Sequence, residues 1–407
     1  MKHYTSAHVT NQTPAPNPSG EPRPAVLTSV RVLGTVLIVI ILLACIEAAS
    51  YVAMNFFIAP RDRGAFYLPP VLDRDAYESY LASRDATLGW PSPSAFGGPT
   101  FDESGARRSP VFPRPGGECV VLVGDSFTFA QDVEHNVAWG NVLAGRLGCR
   151  VGNFAVGGYG TDQALMRFEQ LATMPARFAV LGFYPHNARR NVNQNRYFLG
   201  GGTRVRLKPR FVLEGEQLQP VAIQRFGFDE YVESMEQPRA YYPHEAYLPG
   251  SSIGPIPLSF PYAVVAARYL LSERVMNYLQ GRPGWIGLFD PDNPSGALPI
   301  TVGIVEAFGR LARERGMHPL VVTFATPSSM ELFASTGEIA TAPLVDALDS
   351  RGIDVLDLHR PFADRLGEER YCEVLTKPEL CRGHLNARGN QWLAEIVHAR
   401  LDALEER

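Results

Sequence analysis

Side chains able to do acyl-transfer chemistry gather at two distant places in this 407-residue chain. A short apolar run, Val120-Val121-Leu122-Val123, ends in Gly124-Asp125-Ser126-Phe127-Thr128. A serine at the carboxyl end of a buried strand sits where open α/β sheets bind ligands, and Gly124 lets the chain turn sharply to present the hydroxyl. A hydroxyl alone is a poor nucleophile at neutral pH. It needs an imidazole within hydrogen-bond reach, which can come from anywhere in the sequence because geometry defines the pair. Near the other end, Gly383-His384-Leu385-Asn386 opens a helical pattern, and His384 is the strongest base among the nine histidines. His186 is the reserve. Asp125 is expected to fix the nucleophile loop, and Asp132 and Glu134 to stand on the rim of the site.

Two further segments follow short strands: Asn153-Phe154-Ala155-Val156-Gly157-Gly158-Tyr159-Gly160-Thr161 and Phe183-Tyr184-Pro185-His186-Asn187. With them, the chain resembles the SGNH/GDSL hydrolase superfamily over about residues 117–187 and 318–400, in the expected block order. The resemblance implies Ser126 as nucleophile, His384 as base, and an oxyanion hole made by the backbone N–H groups of Ser126 and Gly158 and the side-chain amide of Asn187. Two positions depart from the family pattern. Ala188 follows Asn187 where an aspartate is common, and Arg382 and Cys381 stand where the family carries its triad acid. His384 is therefore expected to be oriented by a backbone carbonyl or by a carboxylate from elsewhere, with Glu379 and Asp364 as candidates.

Composition bounds the partners. At 45% hydrophobic and 20% charged, the chain can bury one large core or two modest ones, and a net charge of −4 gives no basic footprint for nucleic acid. No His/Cys/Asp cluster has metal-ligand spacing, so neither metal nor cofactor is expected.

Residues 1–28 are rich in Pro, Ser, Thr and Asn and read as a disordered cytoplasmic tail. From 32 to 53 the chain is almost wholly apolar, long enough at 1.5 Å per residue to cross a hydrocarbon core of about 30 Å, so 29–59 reads as a transmembrane anchor. Apolar character persists past the usual length of a signal-peptide core. Leu42-Leu43-Ala44-Cys45 imitates a lipoprotein cleavage site, but lipidation would leave 46–59 as a greasy tether with no purpose. Glu47 within the span is costly and reads as a contact to another membrane protein, or as a residue reaching the interface. Four cysteines remain besides Cys45. Cys119 and Cys149 begin two strands expected to be neighbours, and Cys372 and Cys381 bracket a loop before His384, which favours two disulfides and an oxidising compartment.

Residues 60–117 read as a linker that partly packs on the main domain, 118–407. There the pattern alternates strands (119–123, 150–154, 178–183, 320–324, 353–358) with helices (137–147, 162–174, 302–315, 344–350, 387–404). Short continuous apolar strands between amphipathic helices imply a doubly wound α/β domain with a parallel sheet covered on both faces. The resemblance implies five strands in flavodoxin-like order. Alternation stops at about 190–300, an aromatic insertion with a β-hairpin over 204–221 turning at Glu214-Gly215, placed to overhang the site.

These readings converge on a single-pass inner-membrane protein with an extracytoplasmic Ser–His ester hydrolase. Its substrate would be an ester-bearing glycan or lipid, such as an O-acetylated envelope or secreted polysaccharide. Two alternatives share the scaffold: an O-acyltransferase to a glycan, working beside a membrane acyltransferase, and a non-catalytic binding or assembly protein.

Overall fold

The computed structural model describes residues 24–171, 174–200 and 205–406, with side chains from residue 29. Residues 1–23 of the expected tail and Arg204 at the start of the expected hairpin lie outside them. The chain builds a five-stranded parallel sheet: β1 (Glu118–Val123), β2 (Arg150–Asn153), β3 (Phe178–Phe183), β4 (His318–Thr323) and β5 (Asp354–Asp357), in the order β2-β1-β3-β4-β5. This is the doubly wound order expected.

Alternation along each strand explains why both faces are covered. Val121, Val123, Ala179, Leu181 and Val321 point into one core, closed by the helices Thr161–Gln170, Ala297–Glu314 and Ala342–Asp349. Val120, Leu122, Phe178, Val180, Leu320 and Val322 point into the other, closed by Trp139–Leu147, His359–Leu366 and Ala387–Glu405. With both faces buried the strands read as continuous apolar runs, and their carboxyl ends open on one common edge.

The insertion contains the antiparallel hairpin Arg210–Glu214 with Gln217–Val221, turning at Gly215 (φ 63°). It also contains helices that the sequence did not announce, among them Phe228–Glu236, Tyr262–Leu270 and Glu273–Leu279. The His384 segment differs from expectation as well. It is a strand, Arg382–Leu385, paired antiparallel with Leu375–Lys377, and the helix opens only at Ala387. The Asn386 side chain accepts from Gly389 N–H at 3.1 Å and caps that helix, which fixes where it starts.

The apolar N-terminal helix starts earlier than expected, at Pro24, a residue tolerated in a first turn. Its apolar stretch covers Ser29–Ile58. Glu47 does not need a second membrane protein as partner. Its carboxylate accepts the N–H groups of Tyr262 and, at 2.9 Å, Ala263, capping the Tyr262–Leu270 helix of the same chain.

Candidate active site

The turn after β1 is shaped by what has to fit around it. Gly124 has φ 153°, and a Cβ there would lie 2.3 Å from Thr128 Oγ1 and 2.8 Å from the Gly182 carbonyl oxygen, so only glycine closes the turn. Ser126 begins the one-turn helix Ser126–Phe129 at the strand's carboxyl end. Asp125 Oδ1 caps this turn through Phe127 N–H at 2.9 Å, while the N–H of Ser126, first in the turn, has no intrahelical partner. Burial pushes the Asp125 carboxyl up, and Arg190 (2.9 Å), the Phe127 amide and His384 pull it back, so Asp125 fixes the loop as its position suggested.

His384 comes to the same edge on the disulfide-closed Leu375–Leu385 hairpin, its ring 4.9 Å from that of Phe127, the residue after Ser126. A carboxylate from elsewhere in the chain does meet His384, but it is neither of the two candidates. His384 Nδ1 lies 2.7 Å from Asp132 Oδ2. Glu379 and Asp364 are both exposed and make no contact with His384. Asp132 reaches the imidazole because the chain after the nucleophile turn adopts left-handed geometry at Ala130 (φ 59°) and Asp132 itself (φ 72°). Non-glycine residues hold such angles only where surrounding contacts demand it. A carboxylate on Nδ1 sets the tautomer that leaves Nε2 free to take a proton. Ser126 Oγ makes no hydrogen bond among the described residues, as is common before substrate closes a site.

Gly158 and Asn187, the residues for which the resemblance implies an oxyanion role, lie at this edge. Gly158 sits in left-handed geometry (φ 83°), its carbonyl held by Arg196 Nη1 at 3.1 Å. Arg190 Nη1 donates to Asn187 Oδ1 at 2.9 Å, to Asp125 Oδ2 at 2.9 Å and to the Tyr159 carbonyl at 2.8 Å. A guanidinium only donates, so the Asn187 amide must turn its oxygen to Arg190, and its Nδ2 is left buried with no acceptor. A buried unsatisfied amide costs stability, and a developing oxyanion is the acceptor that would satisfy it. Asn187→Ala is expected to lower kcat by about 10² to 10³. Steady-state kinetics on an aryl acetate checks this.

Aromatic rings wall the site. Phe127 stacks on Tyr184 at 4.2 Å, and Tyr184 stacks on His186 at 5.1 Å. Burial, Arg189 and Arg190 hold His186 well below the ordinary histidine value, so it stays neutral in the stack. The insertion contributes Trp285, 6.1 Å from His186. The cysteines pair as Cys119–Cys149, tying β1 to the start of β2, and Cys372–Cys381, closing the hairpin that carries His384. Glu134 is exposed, without a role in the constellation.

A second Ser–His–Asp relay, invisible in the sequence, lies at the carboxyl end of β5. His359 Nδ1 is 2.9 Å from Asp357 Oδ1 and Nε2 is 2.9 Å from Ser329 Oγ, with Thr323 Oγ1 donating to Asp357 Oδ2 at 2.6 Å. Ser329 and His359 are 0% exposed, against 8% for Ser126, so this relay offers no substrate access and ties β5 to the helix Pro327–Thr336. Burial alone would raise the Asp357 carboxyl, but hydrogen bonds from His359 and Thr323 hold it below the usual value. A depressed acid contributes stability above its unfolded pKa and loses it as pH falls through the folded value. Asp357→Asn should therefore cost about 2 kcal/mol at pH 7 and flatten the acid limb of the stability profile below about pH 4. Denaturant melts at several pH values measure both effects.

No protein-family model matches the sequence, and no curated protein matches it. Among solved structures it is similar to a putative lipolytic protein of the G-D-S-L family from Desulfitobacterium hafniense DCB-2, at 13% identity and TM-score 0.33 over 69% of this chain and 97% of that one. A member of the lipolytic protein G-D-S-L family from Veillonella parvula DSM 2008 is similar at 11% identity and TM-score 0.33, over 68% and 94%. LAE5, an alpha/beta hydrolase enzyme from the metagenome of Lake Arreo, Spain, is similar at 10% identity and TM-score 0.36, over 70% and 95%.

Proposed function

We propose that this chain is a serine ester hydrolase that removes acetyl groups from a polysaccharide of the cell envelope or a secreted one. The observation that carries the reading is the Asp132–His384 contact at 2.7 Å at the sheet edge that carries Ser126, together with the unpartnered Asn187 amide. Ser126 Oγ attacks the ester carbonyl carbon while His384 Nε2 takes its proton, and Asp132 stabilises the imidazolium. The oxyanion is met by the N–H groups of Ser126 and Gly158 and by Asn187 Nδ2. Collapse expels the alcohol, which takes the proton from His384, and leaves an acyl-serine. Water, deprotonated by His384, then adds to the acyl carbon and releases the acid and Ser126. The test is acetate release from an O-acetylated glycan by the full-length protein. Acetate appearing on an added acceptor glycan instead of in solution would make the protein a transferase.

The membrane reading has separate support. The 30-residue apolar stretch Ser29–Ile58 spans about 45 Å as a helix, roughly 15 Å beyond a hydrocarbon core. Its last turns are covered by protein: Met54 and Ala59 are buried, and Tyr51 meets Tyr262 edge-on at 4.9 Å. Glu47 then stands near the outer interface, against the positive end of the Tyr262–Leu270 helix. Cleavage of the segment as a signal peptide would strip that cap. Phe260, Leu271 and Leu279, each more than 70% exposed, lie on the adjoining helical pair and suit a lipid headgroup layer. With two disulfides, the domain belongs on the oxidising side. The expected result is that the chain stays in the membrane pellet after alkaline extraction and that residues beyond 60 are digested by protease added from the extracytoplasmic side; release into the supernatant would refute the anchor.

A further inference from the structure

Asn187 can serve an oxyanion in only one of its two amide orientations. With Nδ2 turned to the substrate it donates; flipped, it presents a carbonyl oxygen that repels the developing charge. A group that would welcome the flip stands close by. Asp125 Oδ2, on a fully buried side chain, and Asn187 Oδ1 both lie 2.9 Å from the same atom, Nη1 of Arg190. Nη1 can only donate, so while it holds Asn187 Oδ1 the amide cannot turn Nδ2 towards Asp125.

Arg190 is itself firmly placed. It lies three positions after Asn187 on the short helix Asn187–Asn191, a spacing that brings two side chains together on one face. Its carbonyl accepts from Lys208 Nζ at 3.0 Å, and Lys208 is buried against Asp162, so the backbone at 190 is held from behind. The side chain is 12% exposed. Its buried Nε has no acceptor, whereas Nη1 has three, the last being the Tyr159 carbonyl at 2.8 Å. One nitrogen with two protons thus serves three acceptors on three loops, with a proton shared between two of them. Those acceptors are Asn187, the residue before Ser126 and the residue after Gly158, so each belongs to or adjoins a residue given an oxyanion role by the resemblance. Offsetting the buried Asp125 charge explains why a cation is there. It does not explain why the same nitrogen also reaches Asn187 and Tyr159.

We propose that Arg190 is the positioning residue of the oxyanion hole: it touches no substrate atom, and it acts by holding the Asn187 amide with Nδ2 outward and by drawing the three donor-bearing loops onto one point. This deepens, and rests on, the hydrolase reading. Such a residue works before the reaction begins, since donors fixed in advance need no reorganisation as charge develops. Its loss should therefore appear in kcat, with little change in KM.

The test is a double-mutant cycle on the full-length protein in nanodiscs, with an aryl acetate as probe. Arg190→Met should lower kcat about tenfold or more and leave KM within about threefold, and in an Asn187→Ala background the same change should cost less than about threefold, because the amide it positions is gone. Arg190→Lys keeps a cationic donor and should recover most of the loss. Equal losses with and without Asn187, or no loss at all, overturns the proposal. Where Arg190→Met leaves Asp125 unpaired and thermal melts show an unfolded protein, Asp125→Ser with and without Arg190→Met takes its place, with the same expected and overturning results. If wild type turns over no ester, the hydrolase reading fails by itself, and positioning is read from the crystal structure of the Arg190→Lys protein: Asn187 turned off its wild-type rotamer supports the proposal, and Asn187 unmoved overturns it.

Discussion

Asp132→Asn is expected to lower kcat on a simple ester by about 10⁴ while leaving the fold intact, the size of loss known when a triad's acid becomes its amide. An asparagine at position 132 can present an N–H to His384 Nδ1 and so favour the tautomer whose proton sits on Nε2, where it cannot accept from Ser126. It also removes the charge that stabilises the imidazolium. Glu379→Gln and Asp364→Asn should leave kcat within about twofold, because both carboxylates are exposed and away from the imidazole. The contrast is the informative part: a uniform small effect at all three positions would mean that His384 works without a carboxylate. Arg382→Asp is expected to bring no gain, since the acid's place is already filled.

The sheet was legible because both of its faces are buried. Phe178–Phe183 reads as an uninterrupted apolar run for that reason, and its observed bounds match the expected 178–183. The sheet order agrees with the family resemblance. The site was less legible. Ser126 and Gly124 announce a turn in local sequence, but Asp132 and His384 are 252 positions apart, and their meeting depends on left-handed backbone at Ala130 and Asp132 that no residue type there signals. The polar run Gln131-Asp132-Val133-Glu134 directly after the nucleophile turn was the available hint. Searching near His384 in sequence pointed instead to Glu379 and Asp364. Glu379 sits at the exposed end of the 375–385 hairpin, and Asp364 on the solvent face of the His359–Leu366 helix. The relay at His359 was unreadable for a related reason: Ser329, Asp357 and His359 belong to two different βα connections, and only the β4–β5 pairing brings them together. The helical pair 262–279 was obscured by its Pro-rich, aromatic flanks.

Ser126→Ala is expected to remove at least about 10⁴ of the turnover on aryl acetates, with thermal stability nearly unchanged. Ser126 Oγ makes no hydrogen bond among the described residues, so deleting it leaves no partner unsatisfied. Ser329→Ala should do the reverse, lowering stability by about 1 to 2 kcal/mol through the lost bonds of its Oγ to His359 and to the Thr326 N–H while sparing turnover. The two serines, one reachable and one enclosed, are thus expected to give opposite signatures.

The most direct measurement is mass spectrometry of the full-length protein after reaction with a serine-directed phosphonate, run on wild type and Asp132→Asn. A phosphonyl adduct on Ser126 in wild type, formed far more slowly in the variant, is the result predicted. An unmodified Ser126, or an adduct on another serine, would contradict the assignment of this edge of the sheet as the active site.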